Sequence, residues 1–185
     1  MEQSKQIIIG LAGEPGSGKD TVSKYLREKY GAKEIRFSDP LGDALKNFIS
    51  DISREDFQWL SHAIRERFGQ DIFAKALLKR MTADDNIVIF NGVRFWENYD
   101  FVRSFPCSYM VYVTADQKMR WGRVTSRMQK VDDNSSFEKF QELERFETEA
   151  LIPEIGAKAD FTIRNEKDLA YILVETDKVM EKIMQ

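Results

Sequence analysis

Residues 13–21 read Gly-Glu-Pro-Gly-Ser-Gly-Lys-Asp-Thr and follow the unbroken apolar run Ile7-Ile8-Ile9-Gly10-Leu11. A short apolar run bounded by turn residues reads as a strand buried on both faces of a parallel sheet. Beyond the stretch, Val22, Tyr25 and Leu26 recur at helical spacing. Gly13, Gly18 and Lys19 therefore fit G-x-x-x-x-G-K between a strand and a helix, the context that this motif requires. Glycines let backbone N–H groups converge on an anion, a helix start favours negative charge, and lysine adds a point charge. The stretch implies that Gly13, Glu14, Pro15, Gly16, Ser17, Gly18, Lys19, Asp20 and Thr21 hold the phosphates of a nucleotide such as ATP.

Asp20 stands where the motif carries Ser or Thr, whose hydroxyl ligates Mg²⁺. A carboxylate is also a hard oxygen ligand, so Asp20 is a candidate metal ligand, with the Thr21 hydroxyl beside it. It reads equally as a first-turn acid favoured by the helix dipole.

Further apolar runs recur at 34–37, 87–90 and 109–113, with a weaker one at 161–163. Helical patterns lie between and beyond them, at 21–30, 41–49, 54–81 with a break at Gly69-Gln70, 117–129, 137–152 and 167–183. Asp39 and Pro40 read as N-cap and first helical residue. Strand–helix alternation with buried-type strands predicts an α/β fold with a parallel sheet, and 185 residues without a linker predict one domain. The polar stretch 130–136 predicts a mobile loop.

Composition removes several classes. A single cysteine, Cys107, allows no internal disulfide and fits a reducing compartment, the cytoplasm. No run approaches the roughly 18 apolar residues of a membrane span, and residues 1–11 lack a signal-peptide pattern. A net charge of −3 gives no general pull toward nucleic acid. Neither nucleic acid nor membrane is an expected partner, and a homodimer stays open. His62 reads as a surface residue, Cys107 as a buried filler, and Trp59, Trp96 and Trp121 as packing residues.

Four segments in order carry a resemblance: G-S-G-K-D-T (16–21), F-S-D-P-L (37–41), I-R-E-R-F-G-Q-D-I-F-A-K-A-L-L (64–78) and V-I-F-N-G-V-R (88–94). Together they resemble the P-loop nucleoside monophosphate kinase group, closest to deoxynucleoside monophosphate kinases and dephospho-coenzyme A kinase-like proteins. The resemblance implies a P-loop fold with a five-stranded parallel sheet flanked by helices, an acceptor region at about 38–82 and a lid at about 118–136. It implies ATP and Mg²⁺ as cofactors and transfer to a small-molecule nucleotide acceptor, a (deoxy)nucleoside monophosphate. The D-A-D and H-P segments of dephospho-coenzyme A kinase, the runner-up, are missing. A nucleotide-binding regulatory protein with little transfer activity is a further alternative.

Transfer between two anions demands positive charge. Arg94 ends the third predicted strand, where ligands of open α/β sheets bind; by resemblance it clamps the acceptor phosphate, with Arg65 and Arg67. Arg120, Arg123 and Arg127 share one helix face. By resemblance, Arg123 and Arg127 close over the moving phosphoryl group, Asp39 meets the acceptor sugar, and the segment at Asn165 lies against adenine. Asn91 departs from the resemblance, standing where an aspartate is usual.

Overall fold

In the computed structural model, which describes residues 6–69, 71–127 and 136–185, the apolar runs become one sheet. Its strands are β1 (Ile7–Ala12), β2 (Lys33–Arg36), β3 (Ile87–Asn91), β4 (Ser108–Thr114) and β5 (Phe161–Arg164), all parallel, in the order β2-β3-β1-β4-β5. The helices are α1 (Lys19–Tyr30), α2 (Asp39–Lys46), α3 (Arg54–Phe68), α4 (Ile72–Leu78), α5 (Trp96–Arg103), α6 (Gln117–Arg127), α7 (Phe137–Glu144), α8 (Glu147–Ala150), α9 (Ile152–Gly156) and α10 (Leu169–Ile183).

The centre of the sheet is buried on both sides, which is why β1 and β3 carry apolar residues without alternation, whereas the edge strands β2 and β5 mix apolar with polar residues. Ile9, Leu11, Ile89 and Val111 pack with Val22 and Leu26 of α1 and with Ile172 and Met180 of α10. Ile8, Ala12, Val88 and Phe90 face the other way, toward Leu77 of α4, Val102 of α5 and Ile155 of α9. Each fully buried aliphatic side chain contributes about 1.5–3 kcal/mol. Phe90 adds edge-on or tilted contacts to Phe37, Phe101 and Phe105, with ring centroids 6.0, 5.0 and 5.9 Å away. From β1 the chain crosses past β3 to β2, and from β3 it crosses back past β1 to β4, so these two neighbouring strands are left in opposite directions. The loops after β1 and β3 therefore open at one switch point.

Several local expectations change. Asp39 is the first residue of α2 rather than its cap: Ser38 takes the cap position, and the Asp39 Oδ2 accepts the Arg36 N–H at 2.8 Å. The helix expected at 41–49 ends at Lys46. The helix expected at 137–152 divides into α7, α8 and α9, because Phe146 is extended (φ −65, ψ 148) and Pro153 opens α9. Helix α5 went unread. Its start is held by the Asn98 Oδ1, which accepts the N–H groups of Arg94 and Phe95 at 3.3 Å each. The break at residue 69 appears as expected, with α3 ending on Gly69 at φ +92. Trp96 packs on Tyr99 and Trp121 on Phe137, but Trp59 is 68% exposed. His62 is exposed as expected, and Cys107 is half-buried rather than filling the core. Among the described residues, no helix is long and apolar enough to cross a membrane.

Candidate active site

The glycine loop joins β1 to α1. Gly16 and Gly18 hold φ of +78 and +99, where an L side chain is strained. A Cβ on Gly16 would fall on the Arg120 carbonyl, and one on Gly18 on the Asn165 side chain. The loop is thus packed from outside by its neighbours. Asn165 donates from Nδ2 to the Ser17 carbonyl at 2.8 Å, and its own N–H reaches the Thr114 carbonyl at 2.7 Å. Arg123 donates to the carbonyls of Gly16 (3.3 Å) and Asn165 (2.8 Å). Ser17 is fully buried.

Glu14 turns back under the loop. Its Oε1 accepts the hydroxyls of Tyr112 and, at 3.3 Å, Thr114, while its Oε2 is buried without a hydrogen bond. Burial and this carboxylate push the Tyr112 phenol up to about 12. With the side chains of Glu14 and Ser17 committed inward, the loop offers its backbone, together with the N–H groups that the first turn of α1 leaves without helical acceptors. That is the donor set for phosphate oxygens. Lys19 stands at the head of α1, its Nζ 3.8 Å from the Asp20 Oδ2.

The residue that departs from the resemblance is part of this centre. Asn91, at the end of β3, donates from Nδ2 to the Asp20 Oδ1 at 3.1 Å and to the Glu34 Oε1 at 2.6 Å. Glu34 also pairs with Arg27 (3.4 Å) and Arg36 (3.1 Å). Burial alone would push the Glu34 carboxyl up, but the Asn91 amide and the Arg36 charge outweigh it, and the net direction is down. An aspartate at 91 would set three carboxylates together with no donor between them. The Asp20 carboxylate, half exposed, with the Thr21 hydroxyl next in sequence, suits a hard divalent cation.

Across the switch point, Arg94 holds Glu149 of α8 with Nη1–Oε1 at 2.5 Å; the Glu149 side chain is 2% exposed and that of Arg94 36%. Arg65 of α3 stacks its guanidinium over Phe95 (4.5 Å) and Phe73 (5.3 Å). This brings Arg65 beside the segment of Arg94. Arg67, two residues on, is exposed on another face of α3. Arg120 leaves the expected arginine face. It is buried, donates to the Ala115 carbonyl at 3.0 Å and pairs with Glu144 of α7. The Arg127 side chain and the stretch 130–135 of the expected mobile loop lie outside the described residues. Met119, Gly122, Arg123 and Ser126 line an open groove along α6, beside the Arg123 contacts to the loop.

Structure thus unites Lys19, Asp20, Asn91 and the loop, sets Arg94 and Arg65 opposite, and gives Asn165 and Arg123 the work of bracing. Glu34, Tyr112 and Glu149 escaped the sequence reading. Each is one acid or aromatic in a strand or charged helix, with no spacing that marks it.

Known proteins bear on the family and the fold of the chain. A UPF0200 protein from Sulfurisphaera tokodaii is 29% identical over 177 residues, covering 96% of this chain and 97% of its own. One from Methanocaldococcus jannaschii is 26% identical over 181 residues, covering 96% and 91%. Among solved structures, shikimate kinase from Bacteroides thetaiotaomicron superposes with a TM-score of 0.65 at 15% identity, over 97% of this chain and 99% of that one. Shikimate kinase from Acinetobacter baumannii in complex with shikimate gives 0.59 at 17% identity, over 98% and 94%. At such identity the likeness is one of fold. The AAA domain family matches residues 9–148, from β1 through the glycine loop and both strand ends to α8, and the chain belongs to that family.

Proposed function

We propose that this protein transfers the γ-phosphoryl group of ATP, taken as its Mg²⁺ complex, to a small anionic acceptor, in the first place a (deoxy)nucleoside monophosphate. One juxtaposition supports the reading: a glycine loop with Lys19 and Asp20 after β1, and Arg94 three residues beyond β3 at the adjoining strand end.

The loop's N–H groups and Lys19 take the β- and γ-phosphates. Asp20, with Thr21, would hold Mg²⁺, which would neutralise charge on the transferring group. Arg94 and Arg65 orient the acceptor phosphate. The bond from the γ-phosphorus to the β,γ-bridging oxygen breaks as a bond to an acceptor phosphate oxygen forms, and ADP leaves. Positioning and charge suffice for this, so no covalent intermediate on the protein is called for. The groove of Met119 and Gly122 beside Arg123, which contacts Asn165, is the proposed seat of the adenine. Arg127, at the end of the same helix, is assigned to the moving phosphoryl group by the kinase resemblance alone. Arg67 meets acceptor or solvent from the outer face of α3. The compartment proposed is the cytoplasm.

Dephospho-coenzyme A as acceptor would use Asp39 as a base, but that carboxylate accepts the Arg36 N–H, which favours a structural role. The deciding experiment incubates protein, ATP and Mg²⁺ with each ribo- and deoxyribonucleoside monophosphate, with dephospho-coenzyme A and with shikimate, and identifies products by mass. A nucleoside diphosphate is the expected product. ATP binding without any phosphorylated acceptor would overturn the transferase reading.

A further inference from the structure

Asn91 is 3% exposed and has two amide hydrogens, and its Nδ2 faces two acids. Both hydrogens are used, so the amide orientation is fixed; the reversed amide would press its oxygen against both carboxylates. Its Oδ1 is buried and without a hydrogen bond. Glu34 is itself nearly buried, 9% exposed at the side chain, and its charge is met by Arg27 and Arg36. It is therefore suited to hold another group and ill suited to hold an ion. Asp20 is the reverse: its side chain is 51% exposed, its Oδ1 is held by Asn91, and its Oδ2 lies on the Lys19 side.

We infer that Glu34 is a positioning residue which, through the Asn91 amide, fixes the Asp20 carboxylate with one oxygen turned toward the cation and phosphates. This rests on the nucleotide and Mg²⁺ reading of the loop given above. The two departures from the motif are then one arrangement. The carboxylate expected at the end of β3 is carried by the first turn of α1, and the neutral amide at 91 is the group that can join it to β2. Glu34 touches neither nucleotide nor ion. Its action is on geometry, and removing it lets the amide turn and Asp20 swing away.

The test counts free Mn²⁺ by electron paramagnetic resonance during titration of the protein–ADP complex, with metal-free ADP affinity measured in parallel. Asp20→Asn is expected to weaken Mn²⁺ at least ~10-fold, and Glu34→Ala by about 10-fold, the usual scale for a group that orients a ligand. Metal-free ADP affinity stays within about two-fold in Glu34→Ala, whose side chain touches no nucleotide. Glu34→Gln keeps an oxygen acceptor for the amide, so it should restore Mn²⁺ affinity to within about three-fold of wild type. Circular dichroism melting confirms that each variant is folded. Wild-type Mn²⁺ affinity in Glu34→Ala, with Asp20→Asn impaired, would overturn the positioning role and leave the proposed function standing. Equal loss in Glu34→Ala and Glu34→Gln would also overturn it, because net charge rather than the hydrogen bond would then matter. Failure of wild-type protein to bind ADP would instead overturn the proposed function, and this inference with it.

Discussion

The two halves of the switch point are built differently. On the loop side, Glu14, Ser17 and Asn165 are buried, and Asn165 and Arg123 brace the backbone from outside. On the proposed acceptor side, α2 to α4 and their links expose Phe48 (84%), Trp59 (68%) and Phe68 (62%), and Arg94 is held by an acid from α8. The loop side is a finished cradle whose chemistry lies in the backbone. The acceptor side is an assembly of side chains from β3, α3 and α8, with apolar surface still in solvent. Rigid backbone sites are preorganised before ligand arrives, whereas side-chain sites draw on ordering at binding.

The largest expected effect breaks the loop side alone. Lys19→Ala removes the cation at the head of α1, and kcat/KM should fall ~10²–10³-fold, as for loss of one preorganised charge. Steady-state kinetics with saturating acceptor would check this; wild-type turnover would mean that the loop is not the phosphate site. Next is Arg94→Ala, which strikes the acceptor side twice. It removes the proposed clamp and takes from the buried Glu149 the Arg94 guanidinium that it pairs with. Because Arg94 is about a third exposed, the stability loss should be about 2 kcal/mol, below that of a fully buried pair. Adding Glu149→Ala should recover most of that stability in denaturant titration while acceptor KM stays raised. Recovery of both would make Arg94 a purely structural residue.

Asn91→Asp sharpens the comparison at the seam. A third acid beside Asp20 and Glu34 should destabilise the fold by ~1–2 kcal/mol at neutral pH, with Mg²⁺ restoring part of the loss. In the wild type the Glu34 carboxyl lies below its ordinary 4.5, so its contribution is present above 4.5 and lost as pH falls through the lowered value. In the variant the main hydrogen bond holding it down is gone, and stability should instead improve as pH falls from 7 toward 5. Melting temperatures across that range, with and without Mg²⁺, check both parts.

Legibility in the sequence followed the same division. The loop from Gly13 to Thr21 was readable because backbone chemistry imposes glycines at fixed spacing, and the central strands because burial on both faces imposes apolar runs, a signal weaker at the polar edge strands β2 and β5. The place of Arg94 was readable because it follows such a strand. What escaped was tertiary: the pairing of Glu34 with Asn91 across 57 residues, that of Arg94 with Glu149 across 55, and the inward turn of Glu14. No local pattern encodes a side chain's distant partner. Asp20 and Asn91 each looked like a defect in a motif until the 3.1 Å contact joined them. Helix α5 was hidden because its start depends on Asn98 folding back on Arg94 and Phe95 rather than on a Ser, Thr or Asp ahead of the apolar run.

The smallest expected effect probes whether the loop is as finished as its burial implies. Tyr112→Phe keeps the ring against Gly156 and removes only the hydroxyl that donates to Glu14. The Glu14 carboxylate then retains the longer Thr114 contact at 3.3 Å, and stability at neutral pH should drop by about 1 kcal/mol. The phenol is raised to about 12, so its neutral form supports the fold fully below the ordinary tyrosine value of 10.0, and that support is lost as pH rises through about 12. Tyr30, also raised to about 12 through burial and Asp177, is common to both proteins and cancels in their difference. The gap in unfolding free energy between wild type and Tyr112→Phe should therefore be constant from pH 7 to 9 and close toward pH 12. ATP affinity should fall less than about three-fold, because the outer brace of Asn165 and Arg123 remains. A larger loss of affinity at unchanged stability would place the loop's order in the Glu14–Tyr112 contact, and the loop side would then resemble the acceptor side in depending on a single side-chain pair.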